Sequence, residues 1–94
     1  MRLKHIKDAD KIISASAYLI SNPEQYKGKW NELFDNNNPI EIEIGTGKGK
    51  FIISKAISNP NINYIGIEKY DSPLVSAVKK LNDLELTNLK LLCF

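Results

Sequence analysis

Chemistry in this chain concentrates in two glutamates and three glycines. Glu43, Gly45, Gly47 and Gly49 stand at alternate positions in Glu43-Ile44-Gly45-Thr46-Gly47-Lys48-Gly49, and Glu68 follows Gly47 by 21 residues. Glycine lets the backbone approach a ligand where a Cβ would collide with it. A carboxylate two residues ahead of the first glycine is poor company for phosphates. It suits a ligand carrying an ammonium group, such as the amino-acid end of S-adenosylmethionine. An acidic residue about 20 positions beyond a glycine turn, at the end of the next strand, is placed to accept hydrogen bonds from both ribose hydroxyls of a nucleoside. That pairing argues against a bound 2′-phosphate. The candidate cofactor-binding residues are therefore Glu43, Gly45, Gly47, Gly49 and Glu68.

Two other glycine loops fit less well. The ATP/GTP loop needs G-x-x-x-x-G-K-[ST]. Counted from Gly45, its second glycine falls on Lys50, and Gly49-Lys50-Phe51 lacks the hydroxyl that binds magnesium. The dinucleotide fingerprint G-x-G-x-x-G wants its third glycine one position later than Gly49.

These residues need elements to hold them in place. Alternating Ile40, Ile42 and Ile44 predict a strand over Ile40–Ile44 with one apolar face. A helix is expected over Lys48–Ser58, stopped by Asn59-Pro60. Asn63–Glu68 reads as a second strand. Ser72-Pro73 supplies an N-cap and a first-turn proline for a helix over Pro73–Leu84, with Leu74, Val75, Val78 and Leu81 on one face. Thr87-Asn88 turns into a third strand over Leu89–Phe94. Helices between short apolar strands imply parallel pairing and right-handed crossovers. The fold class is α/β: a β-α-β-α-β unit with strand order 3-2-1, one mononucleotide-binding half of a doubly wound sheet. In the complete architecture strand 1 is central. In this unit it is an exposed apolar edge, prone to self-association or homodimer formation. The chain is thus expected to be the N-terminal part of something about twice as long.

The glycine unit and what precedes it divide the chain into residues 39–94, an incomplete cofactor-binding domain, and residues 1–38, a basic arm with short helices and a linker. A helix is expected over Ala9–Ala17 with Asp8 as N-cap. Asn22-Pro23 breaks the chain direction. Tyr26, Trp30, Leu33 and Phe34 follow helical spacing within Glu24–Phe34, weakened by Gly28. Trp30 at that spacing reads as core packing rather than a base-stacking platform. Asp35–Pro39 is a loop by composition.

A chain of 94 residues with a net charge of +2 is enough for one small globular domain. Arg2, Lys4 and Lys7 make the start locally basic, which suits a nucleic-acid backbone; the plainer reading is a solvated surface segment. The single cysteine, Cys93, excludes an internal disulfide, suits a reducing cytosol and reads as a buried strand thiol. With His5 the only histidine, no metal site is expected. A secretory signal is rejected because Asp8 and Asp10 interrupt the basic start and the small residues lie inside the apolar patch. No run approaches the roughly 18–20 apolar residues of a membrane span.

Ile42-Glu43-Ile44-Gly45-Thr46-Gly47-Lys48-Gly49 resembles the first motif of the bacterial tRNA (guanine-N7-)-methyltransferases, and Tyr64-Ile65-Gly66-Ile67-Glu68 their second. Asn22-Pro23-Glu24-Gln25-Tyr26-Lys27-Gly28-Lys29-Trp30 resembles the linker before their first strand, and Met1-Arg2-Leu3-Lys4 is similar to their basic start. The resemblance spans nearly the whole chain. It implies a cytoplasmic class I methyltransferase on a Rossmann-like sheet, using S-adenosylmethionine to methylate N7 of a guanine in the tRNA variable loop. It implies cofactor contacts from Glu43, Gly45, Gly47, Gly49 and Glu68 and tRNA contacts from Arg2, Lys4 and Lys7. The family's catalytic and guanine-binding residues fall beyond Phe94, so no catalytic residue is assigned, and the chain alone is expected to be inactive or nearly so. Two rival readings stand beside it: an NAD-binding fragment of a dehydrogenase, and a small non-catalytic tRNA-binding module.

Overall fold

A computed structural model describes residues 8–94. Three parallel strands, β1 (Ile40–Ile44), β2 (Asn63–Glu68) and β3 (Leu89–Cys93), lie in the order β1-β2-β3. The register sets Ile40 beside Asn63 and Ile44 beside Ile67, then Tyr64 beside Leu89 and Glu68 beside Cys93. Helices α2 (Lys50–Ser58) and α3 (Asp71–Leu81) make the crossovers, and α1 (Ala9–Ser14) precedes the sheet. The alternation of side chains along a strand then builds two apolar clusters, one on each face. On the helical face Ile52, Ile53, Ala56, Leu74, Val75, Val78 and Leu81 pack on Tyr64, Leu89 and Leu91, joined by Ala9 and Ile13 from α1. On the other face Ile20 and Phe34 cover Ile65, with Trp30, Tyr26, Leu33 and Ile40 around them. Trp30 is a packing residue, stacked on Tyr26 with ring centroids 6.4 Å apart.

The strand order is the one the punctuation of the sequence implies, and β1 is an edge. Ile42 and Ile44 are 59% and 81% exposed because nothing described covers that end of the second face. Element ends differ from expectation for local reasons. Helix α2 starts at Lys50, since Gly49 still has a left-handed φ of +79°. Helix α3 starts at Asp71 with Tyr70 as N-cap, so Ser72 lies inside the first turn rather than capping it. Pro73 is tolerated there because first-turn N–H groups have no intrahelical partner. Helix α1 is shorter than Ala9–Ala17, and Asp8 at its N-cap has φ of +63° and makes no side-chain cap. The single helix expected in Glu24–Phe34 is replaced by two 3₁₀ turns, Pro23–Tyr26 and Trp30–Leu33, separated by Gly28 at φ of +80°.

Cys93 also departs from expectation: it is exposed, not buried. It follows Leu89 and Leu91 on the helical face but stands at the strand's last position, where burial falls off.

The segment ahead of β1 closes the outer side of β3. The Leu91 N–H donates to the Tyr18 carbonyl and the Ile20 N–H to the Leu91 carbonyl, each at 2.8 Å. The Tyr18 hydroxyl donates to the Leu84 carbonyl at 2.9 Å and accepts from the Leu86 N–H at 3.1 Å. Just ahead of β3, buried Asn88 donates its side-chain amide to the carbonyls of Ala56, Asn59 and Ile62 at 2.9, 3.1 and 2.9 Å. The Ala56 carbonyl lies in the last turn of α2, where carbonyls lack intrahelical partners, and leaving such groups buried and unpaired is costly; the Asn59 carbonyl also accepts the Ile62 N–H at 3.1 Å. Asn88→Ala is therefore expected to lower stability by about 1–3 kcal/mol, read as a fall in the urea midpoint at unchanged slope. An unchanged midpoint would show that water replaces the amide without loss.

Candidate cofactor-binding site

The glycine turn begins as an extension of the sheet. The N–H groups of Gly45 and Thr46 both donate to the Ile67 carbonyl, at 2.8 and 3.1 Å, which pins the turn to β2 beyond the end of β1. The backbone then takes left-handed φ values of +74° at Gly45 and +59° at Gly47, and a Cβ on either would meet nothing within 4 Å. These two glycines thus leave open space at the carboxyl ends of the strands, where ligands of open α/β sheets bind.

Glu68 closes the arrangement from β2. One carboxylate oxygen accepts the Gly47 N–H at 2.7 Å and the other accepts the Tyr70 N–H at 3.0 Å. The residue is 6% exposed. A carboxylate oxygen has more than one lone pair, so each can accept again from a ligand hydroxyl. Glu43 is half-buried and accepts the Thr46 hydroxyl proton at 2.6 Å. One carboxylate therefore stands on each side of the turn, with the open glycines between them. A dihydroxy group can be accepted at Glu68 and a cationic group attracted at Glu43.

Gly49 belongs with the other glycines in sequence but not in environment. A Cβ there would lie 2.9 Å from the Ala77 Cβ and 3.2 Å from Ile53 Cδ1, so this glycine lets α3 approach the start of α2. Several supporting residues carried no signal in the glycine pattern. Thr46 is buried and bonded to Glu43. Gly66 makes room for it, since a Cβ there would sit 3.0 Å from the Thr46 hydroxyl and 3.1 Å from Ile52 Cδ1. A glycine inside a strand is itself a sign of close approach, which makes Gly66 legible in retrospect. Lys80 on α3 donates its ammonium to the Lys48 carbonyl at 3.2 Å and ties the turn to that helix.

Cys93 stands beside Glu68 in register. Partial burial pushes its thiol pKa up, and Asp71, Glu68 and Asp10 push it the same way. The thiol is thereby kept protonated, which removes the thiolate a nucleophile needs.

Arg2, Lys4 and Lys7, the candidate RNA contacts, lie outside the described residues. Among the described residues no group of three or more His, Cys, Asp or Glu could hold a metal ion. None of their helices is long and apolar enough to cross a membrane.

A family model described as "Putative methyltransferase" matches residues 37–94. Curated proteins named tRNA (guanine-N(7)-)-methyltransferase are similar over almost the whole chain. The one from Geobacillus sp. (strain WCH70) is 61% identical over 98% of this chain and 42% of its own length. The one from Bacillus subtilis (strain 168) is 55% identical over 98% of this chain and 44% of its own length. The chain thus spans less than half the length of these relatives. A solved structure titled "Structure of an antibiotic related Methyltransferase" superposes with a TM-score of 0.62 at 28% identity, covering 72% of this chain and 36% of that one.

Proposed function

Because the chain belongs to the methyltransferase family that its residues 37–94 match, we propose that its glycine turn and Glu68 bind S-adenosylmethionine for methylation of guanine N7 in the tRNA variable loop. The observation that carries this reading is the bond from the Gly47 N–H to Glu68, which makes the turn after β1 and the acidic end of β2 one continuous site. The names of the relatives supply the acceptor: a guanine N7 in tRNA.

The bound cofactor supplies a methyl group activated by a sulfonium centre. The residues' own contributions are positional. Glu68 accepts the ribose hydroxyls while its bonds to Gly47 and Tyr70 fix its carboxylate. Gly45 and Gly47 admit the ligand against the backbone, and Glu43 attracts its ammonium group. Gly49 serves indirectly, by seating α2 against α3. No acid or base is needed to expose the acceptor, since guanine N7 already carries a free lone pair. Orientation of the reactants is the main demand, and such positioning can lower a barrier by about 7–11 kcal/mol. Residues 39–94 are the cofactor part; of residues 1–38, the basic start with Arg2, Lys4 and Lys7 supplies contacts to the tRNA backbone, while Ala9, Ile13, Ile20 and Phe34 pack into the core. A tRNA substrate supports a cytoplasmic setting. The open edge of β1 supports pairing with a further strand, including that of a second copy.

The matches to methyltransferases favour this reading over an NAD-binding fragment. Calorimetric titration of the chain with S-adenosylhomocysteine and with NAD side by side tests it. Weak heat of binding from S-adenosylhomocysteine and none from NAD is expected, since the chain spans less than half the length of its relatives. Binding of NAD alone would overturn the assignment.

A further inference from the structure

The start of α2 and the end of α3 carry a concentration of positive charge, of which the glycine turn uses only the Lys80 bond to the Lys48 carbonyl. Lys48 lies in the glycine turn, Lys50 opens α2, and Lys79 and Lys80 stand in the last turn of α3. The first turn of α2 contains no acidic residue. Among the described residues none of these four lysines makes an ion pair; the pairs found are Lys29–Glu32 and Lys55–Glu41. Elsewhere on the described surface lysines and carboxylates are interspersed, as at Lys27, Lys29 and Glu32. Lys50 and Lys80 also flank a shallow groove of about 360 Å³ whose floor is Ile53, Ile57 and Ser54. The ammonium of Lys80 reaches the Lys48 carbonyl, so the groove adjoins the glycine turn directly.

We infer that this groove is an RNA-binding surface: the ammonium groups of Lys50 and Lys80 take phosphates of the RNA backbone, with a ribose over Ile53 and Ile57. Unpaired lysines at the rim match a polyanion through charge complementarity and release of condensed counterions. The apolar floor suits the carbon face of a sugar, and Ser54 places a hydroxyl where a ribose 2′-hydroxyl can be recognised, the group that distinguishes RNA from DNA. The choice of RNA over other polyanions rests on the function proposed above. The placement rests on the lysines and the groove alone.

The test is binding of an unmodified tRNA transcript to the chain across a salt series, compared with Lys50→Gln/Lys80→Gln. Losing two phosphate contacts is expected to flatten the log–log salt slope by roughly 1.4–1.8, at about 0.7–0.9 per contact. Lys50→Arg/Lys80→Arg should keep the parent slope and shows that charge, not local folding, is being read. Lys27→Gln/Lys29→Gln removes the same net charge from the segment on the opposite face of the sheet and should leave the slope nearly unchanged. An unaltered slope in Lys50→Gln/Lys80→Gln, or an equal loss in the control pair, overturns the placement. Equal binding to phosphatidylserine vesicles or to DNA of the same sequence overturns the assignment to RNA. The cofactor titration is read separately. Loss of S-adenosylhomocysteine binding with lysine-dependent tRNA binding intact would sink the enzyme reading and leave this surface standing.

Discussion

Alanine at position 49 is expected to destabilise the fold by about 2–5 kcal/mol, a large part of the roughly 5–15 kcal/mol that holds a typical domain together. Two independent effects add. A left-handed backbone costs a residue with a Cβ about 1–2 kcal/mol, and φ at Gly49 is +79°. Overpacking typically costs a further 1–3 kcal/mol, and the new Cβ would stand 2.9 Å from that of Ala77. Ala77 does not give easily, because it is fully buried on α3 and its Cβ has no rotamer to change. Urea denaturation should show the midpoint falling sharply. Gly45→Ala separates the two effects: its φ is +74°, but a Cβ there meets open space. It should cost only the backbone part, about 1–2 kcal/mol. Equal losses at the two positions would show that contact with α3 does not matter.

Glu68→Gln is expected to weaken S-adenosylhomocysteine binding by about 10- to 100-fold. A hydrogen bond to a charged group contributes about 1.5–3 kcal/mol, and the substitution turns one carboxylate oxygen into a donor. Both oxygens already accept backbone N–H groups, from Gly47 and Tyr70. The new amide must therefore face one donor with another, or turn away and release the turn. Glu43→Gln is milder, since one amide oxygen still accepts the Thr46 hydroxyl. Isothermal titration of the two variants should separate them, with Glu68→Gln the weaker binder. Unchanged affinity in Glu68→Gln would remove this carboxylate from the site.

Much of the fold was legible because its signals are local. Ile40–Ile44 alternates, Asn59-Pro60 stops a helix, Asn63–Glu68 is flanked by turn residues, and Thr87-Asn88 turns into the apolar run from Leu89; together they yield the three strands and their parallel order. What was not legible depends on neighbours distant in sequence. Gly49 looks identical to Gly45 and Gly47 along the chain, and only the approach of Ala77 gives it a packing role. Cys93 shares the apolar run of β3, yet at the last position of the strand it is exposed. The spacing of Tyr26, Trp30 and Leu33 is helical, but Gly28 divides the segment into two short turns that still deliver those side chains to one cluster. The Thr46–Glu43 bond and the Lys80–Lys48 tie likewise arise from how the turn folds, which no spacing rule encodes.

The pairing of residues 18–20 with β3 gives the three strands unequal protection. β3 is hydrogen-bonded on both sides around Leu91, through Tyr18 and Ile20 on one flank and β2 on the other. Among the described residues β1 has a neighbour on one side only. Amide hydrogen exchange should therefore run as a gradient across the sheet, slowest at Leu91 and fastest in β1, because local opening begins where fewest contacts must break. Glu43 and the glycine turn sit at the fast end of that gradient. The ligand-facing side of the molecule is then the part that opens first, and a ligand bridging the turn to Glu68 should slow exchange there long before it alters the rest.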